Sequence, residues 1–361
     1  MVDIPTRSPV FRFDPSLPKK EVAKIRDNVS AIVLDGERLW LGGDEGTAIH
    51  RMTREVSGDF GTHVSFNLQD TLGLPGPAKE EIDIEGLDVD DGYLWLIGSH
   101  SAKRKKAEDD RSISENLERL ATVEADGNRF TLARVPLDDG GVPVKSHGRS
   151  TAARLEGDAS ANLLTKALAT DLHVGRFVPV GRPGGGPGGV PSKDNGFDIE
   201  GLAISGNRVF LGLRGPVLRG WAIVVELRLE EGANGMLTLG GFGQSGRQYL
   251  KHFLQLDGLG VRDLVIQGNA ILVLAGPSMD LDGPVYVYRW TDALLQGADS
   301  LTWNDDLPKV VRVPFGETKD HAEGLSLVPG TPLSLLVCYD SPAASRIVGD
   351  HGVRADVFAV A

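Results

Sequence analysis

The sequence predicts an all-β protein folded as a β-propeller, and three observations lead to this prediction. A five-residue pattern ending in Glu-Gly-Leu occurs at 83–87, 198–202 and 321–325. Each copy opens a unit of two apolar strands joined by a tight turn, and five such units align along the chain. Further strands follow, so that a unit offers about four antiparallel strands. Four-stranded units repeated around a centre form a propeller.

The units follow one another in the same internal order. Their first two strands span residues 30–42, 85–97, 200–212, 262–274 and 323–338. The turns between these strands contain Asp-Gly, Gly-Asn or Pro-Gly, and such pairs supply the positive φ angles of tight hairpins. Outer strands are predicted at 48–52 and 63–68, 121–125 and 129–135, 221–229 and 248–256, and 285–290 and 309–313.

Two places depart from the regular pattern. The fifth unit offers only one further strand, at 356–360, so we expect residues 10–13 to supply its outer strand and tie the two ends together. The second and third units are unusually far apart. A leucine-rich stripe predicts a helix over 159–172, followed by a Gly/Pro loop over 182–191. We therefore expect one helical insertion at about 138–195 and a single domain over 1–361, with five blades preferred and six as the alternative.

The strand order places a set of polar side chains at one end of the channel. The first strand of each blade lines the channel and the second runs back, so first-strand starts and second-strand ends open on one face. The first-strand starts carry Ser30, Glu85, Glu200, Arg262 and Glu323. The second-strand ends carry Asp44, His100, Arg214 and Asp340. Asp83, Asp198 and His321 precede the three glutamates by two residues and should share their face.

Three interpretations of the glutamates are open at this point. They can pair with Arg262 and nearby lysines (Lys79, Lys193, Lys319) in a ring that closes the propeller. They can hold a divalent metal ion, Ca²⁺ being a good candidate because it prefers oxygen ligands. They can also act directly as acid or base. The predicted metal ligands are Glu85, Glu200, Glu323, Asp83 and Asp198.

The motifs resemble those of a known protein family. The pattern Pro-x-Lys followed by Asp-Ile-Glu-Gly-Leu, at 77–87 and 191–202, resembles the bacterial domain-of-unknown-function family 3616 over residues 25–360. That resemblance implies no activity. More distantly, the Glu-Gly-Leu repeats are similar to those of esterase-like phytases. A Glu-Gly pair opening a propeller strand is also similar to the gluconolactonase and senescence-marker group. Its metal-binding glutamate implies a ligand role for one or more of Glu85, Glu200 and Glu323.

The sequence favours a divalent-metal-dependent hydrolase of a small ester, lactone or phosphoester. In this hypothesis Arg262 or Arg214 holds an anionic group, and His100 or His321 carries the proton, because histidine titrates near neutral pH. The alternative is a non-catalytic propeller that binds a ligand or partner protein, and a closed structural ring is a third possibility. The sequence does not decide whether the protein is an enzyme.

Composition limits the partners. The formal net charge of −12 argues against nucleic acid and anionic membranes, which need a basic face. No signal peptide or membrane-spanning run is present in the sequence, so we expect a cytoplasmic protein. The single cysteine, Cys338, excludes an intrachain disulfide and lies in an apolar strand. A small molecule or an unidentified protein is the expected partner.

Overall fold

Antiparallel sheets arranged in a ring make up the fold, which we describe from a computed structural model. The structure describes residues 2–181, 188–244, 246–330 and 332–360. Strands hold 46% of the chain and helices 13%, so the prediction of a mostly β protein with a propeller-like arrangement is confirmed. Part of the predicted Gly/Pro loop, residues 182–187, lies outside the described residues.

Four sheets contain at least four strands each, and we call them blades 1 to 4. From the inside outward, blade 1 consists of Val29–Asp35, Arg38–Gly43, Ala48–Arg54 and Phe60–Asn67. Blade 2 consists of Ile84–Asp90, Tyr93–Gly98, Leu132–Pro136 and Ala153–Arg154. Blade 3 consists of Asp198–Ser205, Arg208–Leu218, Trp221–Glu231, Tyr249–Leu254 and Ser300–Thr302, with Leu237–Leu239 beside its third strand. Blade 4 consists of Gly260–Gln267, Ala270–Gly276, Val285–Trp290 and Lys309–Val313.

A sheet of only three strands closes the ring, and we call it the closing sheet. Its strands are His321–Val328, Ser334–Asp340 and Asp356–Ala359. Its inner strand contacts the inner strands of blades 4 and 1, while the other inner strands contact one another in chain order. The preference for five blades is therefore wrong: four sheets are complete, and the last unit lacks its outer strand. In place of an outer strand, the described residues show a single bridge that pairs Arg7 with Val357 of the third strand.

The N-terminal strand ties the chain ends together, but in a different sheet from the one expected. Val10–Arg12 pairs in parallel with blade 1 at Phe60 and antiparallel with Gly352–Arg354, which pairs in turn with Ile347–Val348. Phe11 is 1% exposed and packs edge-to-face on Phe60, with the ring centroids 5.7 Å apart. Burial of this aromatic pair favours blade 1 over the closing sheet.

The chain between blades 2 and 3 is an insertion rather than a sixth blade. Among the residues described there, Leu163–Leu168 forms the helix, shorter than predicted, and Asn162 caps its N-terminus. Three other short α-helices in the described part of the chain are Lys19–Arg26, Gln69–Leu72 and Ile113–Ala121. Two small two-stranded sheets are present: Lys103–Arg104 pairs with Val123–Glu124 on either side of the helix Ile113–Ala121, within blade 2, and Ser146–His147 pairs with Ser150–Thr151. Short 3₁₀ turns occur at Gly127–Phe130, Ser192–Asp194, Ala233–Gly235, Ala293–Leu295, Asn304–Asp306 and Ala344–Arg346.

Every inner strand carries an irregularity at the same repeat position. The ladder with the second strand is interrupted near the start of each inner strand by one extra residue, which is a β-bulge; blades 1 to 4 skip one residue there, and the closing sheet has Glu323 and Gly324 opposite Cys338 alone. The residues at these bulges are Ser30, Glu85, Glu200, Arg262 and Glu323. A bulge bends the strand and turns a side chain out of the normal alternation. The five marker positions of the sequence repeat are thus five equivalent bulges.

The glycine after each marker glutamate permits close contact between neighbouring inner strands. A Cβ on Gly86 would lie 2.6 Å from the Leu202 Cβ of blade 3, and a Cβ on Gly324 would lie 3.1 Å from the Ile32 backbone N of blade 1. Any side chain here would therefore force the inner strands apart. Cys338 is buried at 3% exposure, which confirms it as a small core residue.

Buried carboxylates also connect adjacent sheets. Asp263 in blade 4 accepts a hydrogen bond from the Leu325 backbone N–H of the closing sheet at 2.7 Å. Asp88 in blade 2 accepts one from the Ile204 N–H of blade 3 at 2.6 Å. These bonds fix the height of one inner strand against the next. Among the described residues, no helix has the length and apolar character needed to cross a membrane.

Candidate functional site at the channel mouth

Arginines bring the marker glutamates of blade 3 and the closing sheet together. Arg262 Nη1 lies 2.6 Å from Glu323 Oε1 and 3.3 Å from Glu200 Oε2. Arg214 Nη1 lies 2.8 Å from the other oxygen, Glu200 Oε1, and its Nη2 contacts Asp198. Glu200 is 2% exposed, so two guanidinium groups share one buried carboxylate. This part of the site follows the salt-bridge interpretation, although arginines rather than lysines supply the charge.

A third buried arginine, which the sequence did not single out, holds the blade 2 side of the mouth. Arg129 Nη1 lies 2.5 Å from Asp83 Oδ2 and donates to the hydroxyls of Ser99 and Ser101. Arg129 lies just before the third strand of blade 2. The third strand of a blade starts on the same face as the first strand. Including the third-strand starts in the sequence analysis would therefore have placed Arg129 at the mouth.

Glu85 is the marker glutamate without an arginine partner among the described residues. It lies instead beside two further carboxylates, those of Asp44 and Asp83, and one oxygen from each of the three lies within 4.8 Å of the others. Ser30, at the blade 1 bulge, donates a hydrogen bond of 2.9 Å to Asp44 Oδ1 and so orients it. We call Asp44, Asp83 and Glu85 the acidic triad. The sequence repeats predicted all three residues at the mouth, but only Asp83 and Glu85 were among the predicted metal ligands.

Burial makes ionisation of these carboxyl groups costly. It raises the pKa of Asp44 to about 8, and the charges of Asp83 and Asp340 add to the effect. Burial and the same kind of repulsion, chiefly from Asp44 and Asp83, raise the pKa of Glu85 well above its usual range. Carboxylates confined without enough cations take up protons, because like charges repel in a medium of low dielectric constant.

The acidic triad fits a hard divalent cation. Its donors are all carboxylate oxygens, the ligand type preferred by Ca²⁺ and Mg²⁺. A cation would replace the protons that the raised pKa values imply. Two buried oxygens at the mouth, Asp198 Oδ1 and Asp340 Oδ1, also have no hydrogen-bond partner within the described part of the chain. The mouth thus has unsatisfied acceptors as well as crowded negative charge.

The two predicted proton carriers lie in different surroundings. His100 is fully buried, its Nδ1 lies 2.8 Å from the Gly98 carbonyl, and its Nε2 lies 2.7 Å from Asn162 Nδ2. A carbonyl only accepts, so Nδ1 carries the proton and Nε2 accepts from the amide. Burial lowers the pKa of His100 to about 4. These contacts make His100 a link between blade 2 and the insertion.

His321 lies at the open side of the mouth. Its Nε2 is 3.3 Å from Asp282 Oδ1 and its Nδ1 is 3.9 Å from Asp340 Oδ2. The nearby carboxylates of Asp340 and Asp282 raise the pKa of His321, and burial opposes this effect. The side chain is 32% exposed. Of the two histidines, it is His321 that has access to solvent and an adjacent carboxylate.

A comparison with known protein families identifies the family to which the chain belongs. The model of a family described as "Protein of unknown function (DUF3616)" matches residues 28–356, nearly the whole chain. The chain belongs to the DUF3616 family. The resemblance seen in the repeated Glu-Gly-Leu motifs is thereby confirmed. No curated protein matches the sequence of this DUF3616 protein.

Solved structures share the overall arrangement only weakly. Streptogramin B lyase is 9% identical with a TM-score of 0.34, covering 97% of this chain and 98% of its own. An exo-1,5-α-L-arabinanase from a bovine ruminal metagenomic library is 8% identical with a TM-score of 0.37, covering 96% and 95%. The PQQ-bound aldose sugar dehydrogenase of Streptomyces coelicolor is 10% identical with a TM-score of 0.38, covering 99% and 100%.

Proposed function

We propose that this DUF3616 protein binds a divalent cation at the acidic triad and hydrolyses a small ester or lactone at the channel mouth. The single observation that supports this most is the approach of Asp44, Asp83 and Glu85 to within 4.8 Å, with Glu85 unpaired by any arginine of the described chain. An all-oxygen donor set favours Ca²⁺. A small-molecule ligand and a cytoplasmic location remain predictions from the sequence.

The charge of the mouth favours an uncharged substrate. Arg214 is already engaged by Asp198 and Glu200, and Arg262 by Glu200 and Glu323. A phosphate group would have to displace one of these buried carboxylates. An ester or lactone carbonyl needs no such displacement. The sequence-based role of the two arginines as anchors for an anionic group is therefore replaced in the proposal by a role in holding the glutamates.

Each residue has a distinct task in this proposal. Ser30 orients Asp44 and Arg129 orients Asp83, so that the triad oxygens are held before a cation arrives. When bound, a divalent cation polarises a carbonyl oxygen and makes a coordinated water more acidic. His321, protonated and beside Asp340, donates a proton to the leaving alcohol, and the attacking water releases a proton to solvent, from which His321 is protonated again. Glu85, the third member of the acidic triad, completes the ligand set.

Thermal unfolding with and without metal tests the binding step. Chelator should lower the melting temperature and Ca²⁺ should restore it, since a ligand at 100 times its Kd stabilises by about 2.7 kcal/mol. Glu85→Gln should lose this response because it keeps the shape and removes one ligand charge. Glu118→Gln, an exposed position of the helix Ile113–Ala121, is the matched control and should respond like the parent. Identical melting of the parent protein with chelator and with Ca²⁺ would contradict the metal site.

Hydrolysis assays test the chemical step. A panel of p-nitrophenyl esters and γ- and δ-lactones should be turned over in Ca²⁺ and not in chelator. His321→Gln should lower kcat while leaving the thermal response to Ca²⁺ unchanged. Full activity in chelator would refute the proposed mechanism. Stabilisation by Ca²⁺ without turnover of any panel member would instead support the non-catalytic, ligand-binding alternative.

A further inference from the structure

A second concave site lies at the opposite end of the propeller from the channel mouth. A pocket of about 220 Å³ opens between blades 2 and 3, beside the turn at Asp91 and the turn at Asn207. The inner strand Ile84–Asp90 carries Glu85 at its start, whereas the pocket residue Asp90 is at its end. At about 3.3 Å per residue, roughly 17 Å of strand separate the two sites. The pocket is therefore independent of the acidic triad.

The walls of this pocket are aromatic and aliphatic. Tyr93 and Trp95 of blade 2 line one side, and Leu229 and Leu237 of blade 3 line the other. The guanidinium of Arg134 lies 4.3 Å from the Tyr93 ring centroid and 5.7 Å from that of Trp95. These rings already hold one organic cation of the protein itself, which shows that the wall accepts a positive group on its aromatic face.

Carboxylates outnumber cations around the pocket. The acidic lining residues are Asp90, Asp91, Glu230 and Glu231, and Arg134 is the basic one. Arg134 contacts Glu231 directly, and Asp90 accepts a hydrogen bond from the Gly206 N–H at 3.1 Å. The side chains of Asp91 and Glu230 have no ion pair or side-chain hydrogen bond within the described residues. Negative charge is thus left over after the protein's own pairing is complete.

We infer that this pocket binds a small organic cation with an apolar body, of the primary amine class. The ammonium group would lie among the carboxylates of Asp91 and Glu230, and the apolar body would pack against Tyr93 and Leu229. These two carboxylates attract the ammonium group electrostatically. An anion of the same shape would meet the repulsion of the acidic rim.

Calorimetric titration of the purified full-length protein tests this inference with tyramine as the probe. Neutral 4-ethylphenol and anionic 3-(4-hydroxyphenyl)propionate are matched in shape and differ in charge. Tyramine should bind at one site, about tenfold or more tighter than 4-ethylphenol, and the anion should give no binding heat. Added salt should weaken tyramine binding. Equal binding of tyramine and 4-ethylphenol, or no binding of tyramine at millimolar concentration, would overturn the inference.

Paired charge variants locate the binding. Asp91→Asn combined with Glu230→Gln should weaken tyramine binding by about tenfold, because two rim charges are lost. The control, Asp109→Asn combined with Asp110→Asn, makes the same change in net charge on an exposed loop and should bind tyramine like the parent. Glu85→Gln should also leave tyramine binding intact. Equal loss in the rim and loop variants would mean that tyramine responds to net charge alone, and the pocket would be rejected.

Discussion

Removing the carboxylate of Asp44 should change how stability depends on pH. The pKa of Asp44 is about 8 in the folded protein because of burial and of repulsion by Asp83 and Asp340, against an ordinary value of 3.8. At a pH between these two pKa values, Asp44 is protonated in the folded state and ionised in the unfolded state, so the folded state binds more protons. The free energy of unfolding therefore falls as pH rises from about 4 to about 8, in the absence of a metal.

The size of this effect follows from the pKa difference. Each tenfold change in proton affinity corresponds to about 1.4 kcal/mol, so the ionised Asp44 costs on the order of a few kcal/mol at pH 8. Asp44→Asn removes the ionisation while preserving the shape of the side chain. In chelator, the variant should be more stable than the parent at pH 8, and most of this advantage should be lost by pH 5, with the remainder lost near pH 4. Ca²⁺ should stabilise the parent at pH 8, where it competes with few protons, and should not stabilise the variant.

Urea unfolding at pH 5, 6, 7 and 8, with chelator or with Ca²⁺, measures both quantities. Because Glu85, Glu323 and Asp198 also have raised pKa values, the informative number is the difference between parent and variant at each pH. Asp109→Asn, on an exposed loop, controls for the loss of one charge. A parent–variant difference that does not change with pH would refute the electrostatic argument. A normal Ca²⁺ response in Asp44→Asn would refute its role as a ligand.

Three further predictions concern the framework around the site. Glu200→Gln should lower the free energy of unfolding by about 3 kcal/mol with or without Ca²⁺, because Arg214 loses a buried partner; an unchanged urea midpoint would contradict the pairing. Phe11→Ala should cost about 3–5 kcal/mol in urea unfolding, whereas Val2→Ala, at an exposed position, should cost almost nothing. Asp263→Asn should cost about 1–3 kcal/mol, because Asp263 accepts hydrogen bonds from the N–H groups of both Leu264 and Leu325 and an amide offers one acceptor oxygen; amide exchange should become faster at one of these two residues.

The repeat in the sequence predicted the inner strands and the face on which the site lies, for an identifiable reason. The same position near the start of an inner strand is occupied in three sheets by Glu85, Glu200 and Glu323. Each is followed by a glycine that allows close packing of the inner strands, so the sequence pattern matches what the ring requires. The partners of these glutamates could not be predicted. They depend on bulges, and a bulge breaks the two-residue alternation from which side-chain directions are inferred. Arg214 and Arg262 therefore reach Glu200 in a way that spacing alone does not show.

Other departures also have local causes. His100 is equivalent by repeat to residues at the mouth, but its backbone φ of 53° is left-handed and lies outside the strand geometry on which that equivalence rests. The N-terminal strand alternates correctly for any open sheet edge. Its choice of blade 1 depends on Phe60 and on the hairpin at 347–354, which does not belong to the repeat. The sequence specified an outer strand without specifying its neighbour.

The contact between the N-terminal strand and residues 352–357 affects how the protein folds during synthesis. Thr6 donates a hydrogen bond to the Val357 carbonyl, 351 positions further along the chain. Doubling the length of such a loop adds only about 0.6 kcal/mol to the free energy of closing it, so the tie is thermodynamically accessible. Contacts this distant in sequence nevertheless form slowly. During synthesis Phe11 can pack on Phe60 early, whereas the pairing of Val10–Arg12 with Gly352–Arg354 must wait until those residues have been made. Blade 1 is therefore the first sheet to begin and among the last to be completed.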